Sequence, residues 1–296
     1  MTNLRYALIT PARNEAAYID KTIQSVICQS VLPTIWVVVS DSSTDGTDEI
    51  IRRHLREHKF MRLARRSGDK RRDFSSKVKA FNVGFGFLEG IDYDFLGNLD
   101  ADVSFGCLYY ESILNEFMKN KRLGIAGGLR YDKSERGFKK IIQSKNSVGG
   151  PNQLFRRQCF DAIGGYIPIE IGGEDALAEI MARMHGWEVE HFPEIKLFHY
   201  RATGTAGYGP FQAQWRLGIR DYALGYHPLF KLAKCFRRMA VRPLIVGSMT
   251  SFFGYFWAFL RKYERPVSDN FVSYLRREQI SRLIGHSSLK TKTPDK

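Results

Sequence analysis

The sequence is poor in cysteine, and the four it has, Cys28, Cys107, Cys159 and Cys235, are too scattered to form a C-x-x-C pair or to sit with a histidine at zinc spacing. They are expected to be buried thiols in a reducing compartment. Acidic residues are also scarce: against 45 Lys and Arg there are only 31 Asp and Glu, a formal net charge of +14. An anionic partner is therefore expected, whether nucleic acid, an acidic membrane face or a phosphorylated substrate. No G-x-G-x-x-G follows a strand-like run and no G-x-x-x-x-G-K-[ST] occurs, which excludes a dinucleotide fingerprint and a P-loop. A nucleotide would have to be held by side chains. The first residues lack the long apolar stretch of a signal peptide, so the chain is expected to start in the cytoplasm.

What is present is a regular alternation. Residues 5–10, 34–39 and 60–64 read as strands, each followed by a helical pattern, the first through Ile19, Ile23, Val26 and Ile27, the second to about residue 57, the third over about 76–88. Thr44 or Asp45 is the candidate cap of the second helix. Such alternation predicts an α/β domain with a mostly parallel central sheet and right-handed crossovers. A further short strand, beginning at Tyr93–Leu96, runs into Asp100 and Asp102, two carboxylates one residue apart. Hard oxygen ligands at the carboxyl edge of a sheet suit Mg²⁺ or Mn²⁺, with open positions for a substrate diphosphate; a solvated turn is the plainer alternative.

Four short pieces follow in order: Pro-Ala-Arg-Asn-Glu (11–15), Ser-Asp-Ser-Ser-Thr-Asp-Gly-Thr (40–47), Lys-Ala-Phe-Asn-Val-Gly (79–84) and Asp-Ala-Asp (100–102). Together they resemble the succession in family 2 glycosyltransferases of the glycosyltransferase-A fold, over roughly residues 5 to 205. The resemblance implies that Glu15 and Asp41 hold the nucleoside and that Asp100 and Asp102 hold a divalent metal. The nucleotide-sugar site is extended to Pro11, Arg13, Asn82 and Arg157, and Lys79 or the basic loop near Arg71 and Arg72, within the cations gathered over 62–79 (Lys70 among them), can offset phosphate charge. One departure is Ser40-Asp41-Ser42-Ser43, which keeps a single carboxylate where the family commonly has Asp-Asp-Gly-Ser. From the residues alone, Glu15 equally fits a first-turn residue favoured by the helix dipole, and Asp45 a cap.

Later pieces keep the family order: an Arg-rich turn at 156–157, Gly164-Gly165, and Glu174-Asp175 at the start of a helix. Carboxylates there are stabilised by the dipole in any protein. In the functional reading Asp175, with Glu174 as the second candidate, is the general base that takes a proton from the acceptor hydroxyl as it attacks the anomeric carbon, a single displacement that inverts the centre. The polar segment 131–148 is expected to be a loop over the site, with an excursion at the surface as the alternative. His199, ending a strand candidate over 196–201, is implied by the resemblance as third metal ligand or diphosphate contact, with Arg201 beside it.

A Gly-rich stretch, Thr203–Pro210, suggests a boundary, giving a catalytic domain over 1–210 and a helical, basic and apolar segment over 211–296. Gln212-Ala-Gln-Trp-Arg transposes the Q-x-x-R-W of processive synthases, so one sugar per encounter is expected. Residues 243–260 are uncharged and flanked by Lys231, Lys234, Arg237, Arg238 and Arg242 before and Arg261, Lys262 and Arg265 after. A marginal span, an element pressed onto anionic lipid, and a hydrophobic hairpin packed on the catalytic domain all fit, the second best. The tail beyond Leu289 is charged and expected to be disordered.

The sequence thus predicts an inverting, metal-dependent transferase taking a nucleoside diphosphate sugar to a saccharide or lipid-linked acceptor at the inner face of the cell membrane. Two other classes compete. A basic nucleic-acid-binding protein would bind generic DNA or RNA with steep salt dependence, but carboxylates in the crevice repel phosphates unless a cation intervenes. A nucleotidyltransferase on a related scaffold would release pyrophosphate.

Overall fold

The computed structural model describes residues 4–67, 75–201, 209–238 and 244–285. Lys70, Arg71, Arg72, Arg242, most of the Gly-rich stretch before Pro210 and the tail beyond Leu289 lie outside the described residues. By their contacts the residues divide into two units, Met1–Glu170 with Glu174–Ala202, and Ile171–Gly173 with Thr203–Lys296.

The first unit begins with β1 (Tyr6–Ala12), α1 (Ile19–Ile27), β2 (Ile35–Asp41), α2 (Thr47–Leu55), β3 (Met61–Arg66), α3 (Ser75–Gly86) and β4 (Phe95–Leu99). Strands β1 and β2 are apolar without a period because both faces are covered. Tyr6, Leu8, Trp36 and Val38 pack into one hydrophobic cluster, while Ala7, Ile9, Val37 and Val39 pack into another on the opposite face. The cap of α2 is Gly46 in the left-handed region, not Thr44 or Asp45. Asp45 instead accepts from the amides of Ala16 and Thr47, tying the first loop to α2.

After β4 come β5 (Val103–Phe105), α4 (Tyr109–Lys119), β6 (Leu123–Ser134), β7 (Gly137–Lys140), β8 (Asn152–Arg156), α5 (Arg157–Ala162), α6 (Glu174–Met184) and β9 (Glu188–His199). The sheet order is β3-β2-β1-β4-β8-β6-β9-β5, with β7 beside β6. Here the expectation of a mostly parallel sheet is corrected. Pairs β1–β2, β1–β4, β2–β3 and β6–β9 are parallel, but β4–β8, β6–β8, β5–β9 and β6–β7 are antiparallel. The βαβ alternation that forces parallel pairing stops at β4, and later strands enter by turns that reverse direction. The segment 131–148 is likewise not all loop, since its first part forms the β6–β7 hairpin.

The chain winds from β1 outward to β3, then returns to place β4 on the other side of β1. That reversal opens a crevice at the carboxyl edge between β1 and β4, where open α/β sheets bind ligands. The ends of β1, β2, β4 and β9 and the starts of β5 and β8 share this edge.

The cysteine expectation holds for two residues of four. Cys159 and Cys235 are buried, whereas Cys28 and Cys107 are exposed.

The second unit contains α7 (Pro210–Ala223), α8 (Pro228–Arg237), α9 (Leu244–Leu260) and α10 (Asp269–Leu283). Helices α7 and α9 cross almost backbone to backbone. A Cβ on Gly218 would stand 2.1 Å from the Ser251 carbonyl oxygen, and one on Gly254 2.4 Å from the Trp215 carbonyl oxygen. Gly254→Val is therefore expected to cost about 2–4 kcal/mol, because the helices must separate. Thermal unfolding checks it: an unchanged melting temperature would contradict this packing.

Nearby, Asp221 is buried and shared by Lys231 at 2.8 Å and Lys234 at 2.9 Å, and Lys231 also donates to Ser251 Oγ at 2.7 Å. Pairing is what makes a buried charge tolerable. The uncharged stretch is thus a helix with Ser248, Ser251, Tyr255 and Ala258 buried, and Ile245, Met249, Phe253, Trp257 and Leu260 exposed along the other side. No helix of the described residues is long and apolar enough to cross a membrane.

Candidate active site

The first two loops of the edge hold each other in unusual backbone shapes. Asn14 and Ser42 both have positive φ, 55° and 56°, a region that ordinary side chains visit at a cost and that clusters at functional sites. Cross-loop bonds maintain them: Asn14 Oδ1 accepts from the Thr44 amide at 2.8 Å, and Thr47 Oγ1 accepts from the Glu15 amide at 2.8 Å. Glu15 is thereby buried at the edge, with Arg201 Nη1 donating to its carboxylate at 2.7 Å. Asp41, at the end of β2, is buried between Arg66 at 2.5 Å and Arg13 at 3.7 Å. Pro11 lies in β1 opposite Val39, within the same loop approach.

At the end of β4 the aspartates diverge from the strand and meet β9. Asp102 and His199 approach to 3.4 Å, Val103 pairs with His199 across the strands, and the Tyr200 amide donates to the Asp102 carbonyl at 2.9 Å. One ligand atom each from Asp100, Asp102 and His199 can be taken so that all three lie within 4.8 Å of one another. The other imidazole nitrogen, Nδ1, faces Asp132 of β6 at 3.1 Å, a carboxylate that orients the ring. Burial lowers the His199 pKa, but Asp102, Asp132 and Asp100 outweigh it and push it up to about 9. The donor set fits Mg²⁺ or Mn²⁺: two carboxylates, one imidazole, and a negative potential that draws a proton when nothing else neutralises it. Arg201 Nε lies 3.9 Å from Asp102, so one guanidinium spans the nucleoside loop and the metal aspartate.

The third part of the site is the turn before β8. The Asp100 amide donates to the Pro151 carbonyl at 3.1 Å, and Asn98 Nδ2 donates to the Gly150 carbonyl at 2.8 Å. On its other side Gly150 touches Asp175: a Cβ there would be 3.0 Å from Asp175 Oδ2. A glycine at 150 is what lets the start of α6 come this close to the end of β4. Asp175 Oδ1 accepts from the Ala176 amide at 2.8 Å, which fixes the carboxylate at the helix start. Lys77 completes the group, 2.5 Å from Asp100. Burial lowers the Lys77 pKa, yet the charges of Asp100, Glu174 and Asp175 raise it overall, a record of three carboxylates around one ammonium.

Below the turn, Gln153 accepts from the Tyr166 hydroxyl at 2.5 Å and donates to Glu179 at 3.2 Å, and Glu179 accepts from the Val148 amide at 2.6 Å. Burial pushes the Glu179 carboxyl up to about 8.

The structure therefore gathers Pro11, Arg13, Glu15, Asp41, Asp100, Asp102, Glu174, Asp175 and His199 at one edge. Of the other three sequence candidates, two lie on an exposed helix face and one at the far end of the sheet. Lys79 and Asn82 are on the exposed side of α3. Residues 77 and 79 are two apart, about 200° around a helix, so only the packing of α3 selects Lys77. Arg157 is at the opposite end of the sheet: its amide donates to the Asp94 carbonyl at 2.9 Å and its guanidinium lies 4.6 Å over the Tyr93 ring, before β4 begins. Sequence reasoning missed the places of Lys77, Arg66 and Gly150. The first two lie within the basic run 62–79, where the sequence favours Lys79 and the loop near Arg71 and Arg72 instead.

Residues 7–174 match the family model described as glycosyl transferase family 2. No curated protein matches by sequence. Among solved structures, the chain is similar to the mannosyltransferase PcManGT from Pyrobaculum calidifontis in complex with GDP-Man and Mn²⁺, at 17% identity and TM-score 0.56 over 96% of this chain and 76% of that one. It is similar to S. aureus TarS 1–349 in complex with UDP-GlcNAc, at 16% identity and TM-score 0.55 over 96% and 79%. A third likeness is to GalNAc-T7 with UDP, GalNAc and Mn²⁺, at 15% identity and TM-score 0.59 over 96% of this chain and 58% of that one. At such identities the likeness is one of fold, a glycosyltransferase-A-like α/β domain with a curled mixed sheet.

Proposed function

Because the chain belongs to glycosyl transferase family 2, and is a glycosyltransferase, we propose that it is an inverting, metal-dependent enzyme that moves a sugar from a nucleoside diphosphate to an acceptor hydroxyl at a membrane face. One observation carries the reading. The turn Gly150–Pro151 binds the Asp100 backbone and touches Asp175, which puts the proposed metal aspartates and the proposed base against one short turn.

Glu15 and Asp41 accept hydrogen bonds from the nucleoside, whose hydroxyls and base N–H groups replace part of the guanidinium contacts made by Arg201 and Arg66. Asp100, Asp102 and His199 would hold the divalent cation, which would supply positive charge against the leaving diphosphate. Lys77 adds a second positive charge at Asp100, on the side facing α6. Asp175 takes the proton of the acceptor hydroxyl as the oxygen attacks, in a single step that inverts the anomeric carbon. The Gly150 contact and the Ala176 amide keep its carboxylate aimed.

Thermal-shift titration against a panel of nucleotide sugars, with and without Mn²⁺, tests this. One nucleoside diphosphate series is expected to stabilise the protein, and only with the metal. Stabilisation by nucleoside triphosphates alone, with pyrophosphate released from a triphosphate and a sugar phosphate, would replace the reading with nucleotidyl transfer.

The acceptor side rests on the second unit. From residue 203 onward the sequence has 16 Lys and Arg against five Asp and Glu. Beside that excess, α9 exposes Ile245, Met249, Phe253, Trp257 and Leu260. Apolar residues bordered by cations fit the surface of an anionic bilayer, and a membrane-held saccharide or lipid-linked acceptor follows, one sugar transferred per encounter at the cytoplasmic face. Sedimentation with vesicles should show binding to anionic lipid that high salt weakens. Equal sedimentation with neutral and anionic vesicles, or none with either, would remove the membrane from the proposal.

A further inference from the structure

Helix α1 and strand β5 meet along a seam of side-chain to backbone hydrogen bonds. Thr22 Oγ1 donates to the Val103 carbonyl at 2.8 Å and accepts from the Val103 amide at 3.1 Å. Ser25 Oγ accepts from the Phe105 amide at 3.2 Å, and Gln29 Nε2 donates to the Gly106 carbonyl at 2.8 Å. The seam ends with the Ser30 amide donating to the Cys107 carbonyl at 2.9 Å. One face of α1 thus does for the outer edge of β5 what a further strand would do.

At the end of that seam the sulfurs of Cys28 and Cys107 lie 2.7 Å apart, both exposed to solvent. Two thiols held so close need little backbone movement to join, because the hydrogen bonds around them already fix the chain on each side. Partial desolvation and the adjoining Cys107 sulfur push the Cys28 thiol up to about 11. Nothing in the proposed transfer reaction uses either residue.

We propose that Cys28 and Cys107 are a dithiol modification site, which small-molecule disulfides of the glutathione class oxidise in the folded protein to a bond that fastens α1 to β5. One protein thiolate attacks a sulfur of the small disulfide, forming a mixed disulfide and releasing one small thiol. The second protein thiolate then displaces the other small thiol. Two protein thiols and one small disulfide become one protein disulfide and two small thiols, so the protein loses two electrons and two protons. Asp102 immediately precedes β5, and Val103 faces His199, so the new bond secures the strand on which the metal aspartate is mounted. The bond also closes the long stretch of chain from residue 28 to residue 107, which restricts the unfolded state far more than a local link would.

Treating the native full-length protein with oxidised glutathione tests the site. The intact mass should fall by about 2 Da, the mass of two hydrogens, with peptide mapping placing the link at Cys28 and Cys107. Melting should then rise by about 5–10 °C over the dithiothreitol-reduced form. Cys28→Ser and Cys107→Ser should each instead gain one glutathione on the remaining exposed thiol and show no such rise. Wild-type protein that resists oxidation, or that accumulates stable glutathione adducts at both cysteines, would overturn the proposal. A bond that forms without raising the melting temperature would overturn the fastening. If a serine variant fails to fold, the wild-type mass, map and melting shift still decide.

Discussion

Asp175→Asn is expected to lower kcat by about 10³-fold while leaving the affinity for the nucleoside diphosphate within about twofold. Asparagine keeps the shape, the acceptor oxygen toward the Ala176 amide and the contact with Gly150, but it cannot take the acceptor proton. The loss should therefore fall on the chemical step. Glu174 is the control, since it too faces Lys77 from the start of α6. Glu174→Gln should have the smaller effect, and a greater loss there would move the base role one residue back. Turnover by Asp175→Asn near that of the wild type would remove the base assignment, whatever the donor is.

The second large effect is expected at Asp102. Asp102→Ala should weaken Mn²⁺ binding by at least about 10²-fold and reduce transfer in proportion at limiting metal, because it removes a carboxylate ligand. Isothermal titration with Mn²⁺ measures this without turnover. A pH signature accompanies it. His199 is protonated below its pKa of about 9, and a metal can bind its nitrogen only after that proton leaves. Wild-type affinity should thus rise by up to about tenfold per pH unit from neutrality toward pH 9, then level off. In Asp102→Ala one of the carboxylates that raises the His199 pKa is gone, so the rise should end at lower pH. An affinity indifferent to pH in the wild type would take His199 out of the ligand set.

Much of this edge was legible because its chemistry is local. A carboxylate pair directly after an apolar strand, a Pro-Ala-Arg-Asn-Glu loop after another, and Glu-Asp at a helix start each announce themselves within a few residues. Asp41, Asp100, Asp102 and Asp175 end or begin secondary-structure elements, and a parallel βαβ layout sends such ends to one edge. What stayed hidden was orientation. Lys77 and Lys79 look alike in a basic run until α3 packs. Arg157, in a turn whose order fits the family, is carried by β8 running antiparallel to β4 to the wrong end of the sheet. Reversal of strand direction leaves no mark in an apolar pattern, which is the same run forward or backward.

The sequence by itself determined the βαβ first half, the acidic residues that end its strands, the family they resemble and the apolar helix among cations near the carboxyl end. Only the tertiary structure decided that the later strands turn the sheet mixed, that Lys77 and not Lys79 stands among the carboxylates, and that two cysteines 79 positions apart come within reach of a bond. Local patterns depend on neighbours along the chain, which the sequence contains. Which side chains face each other across helices and reversed strands depends on close packing of the whole unit, and no stretch of residues carries that alone.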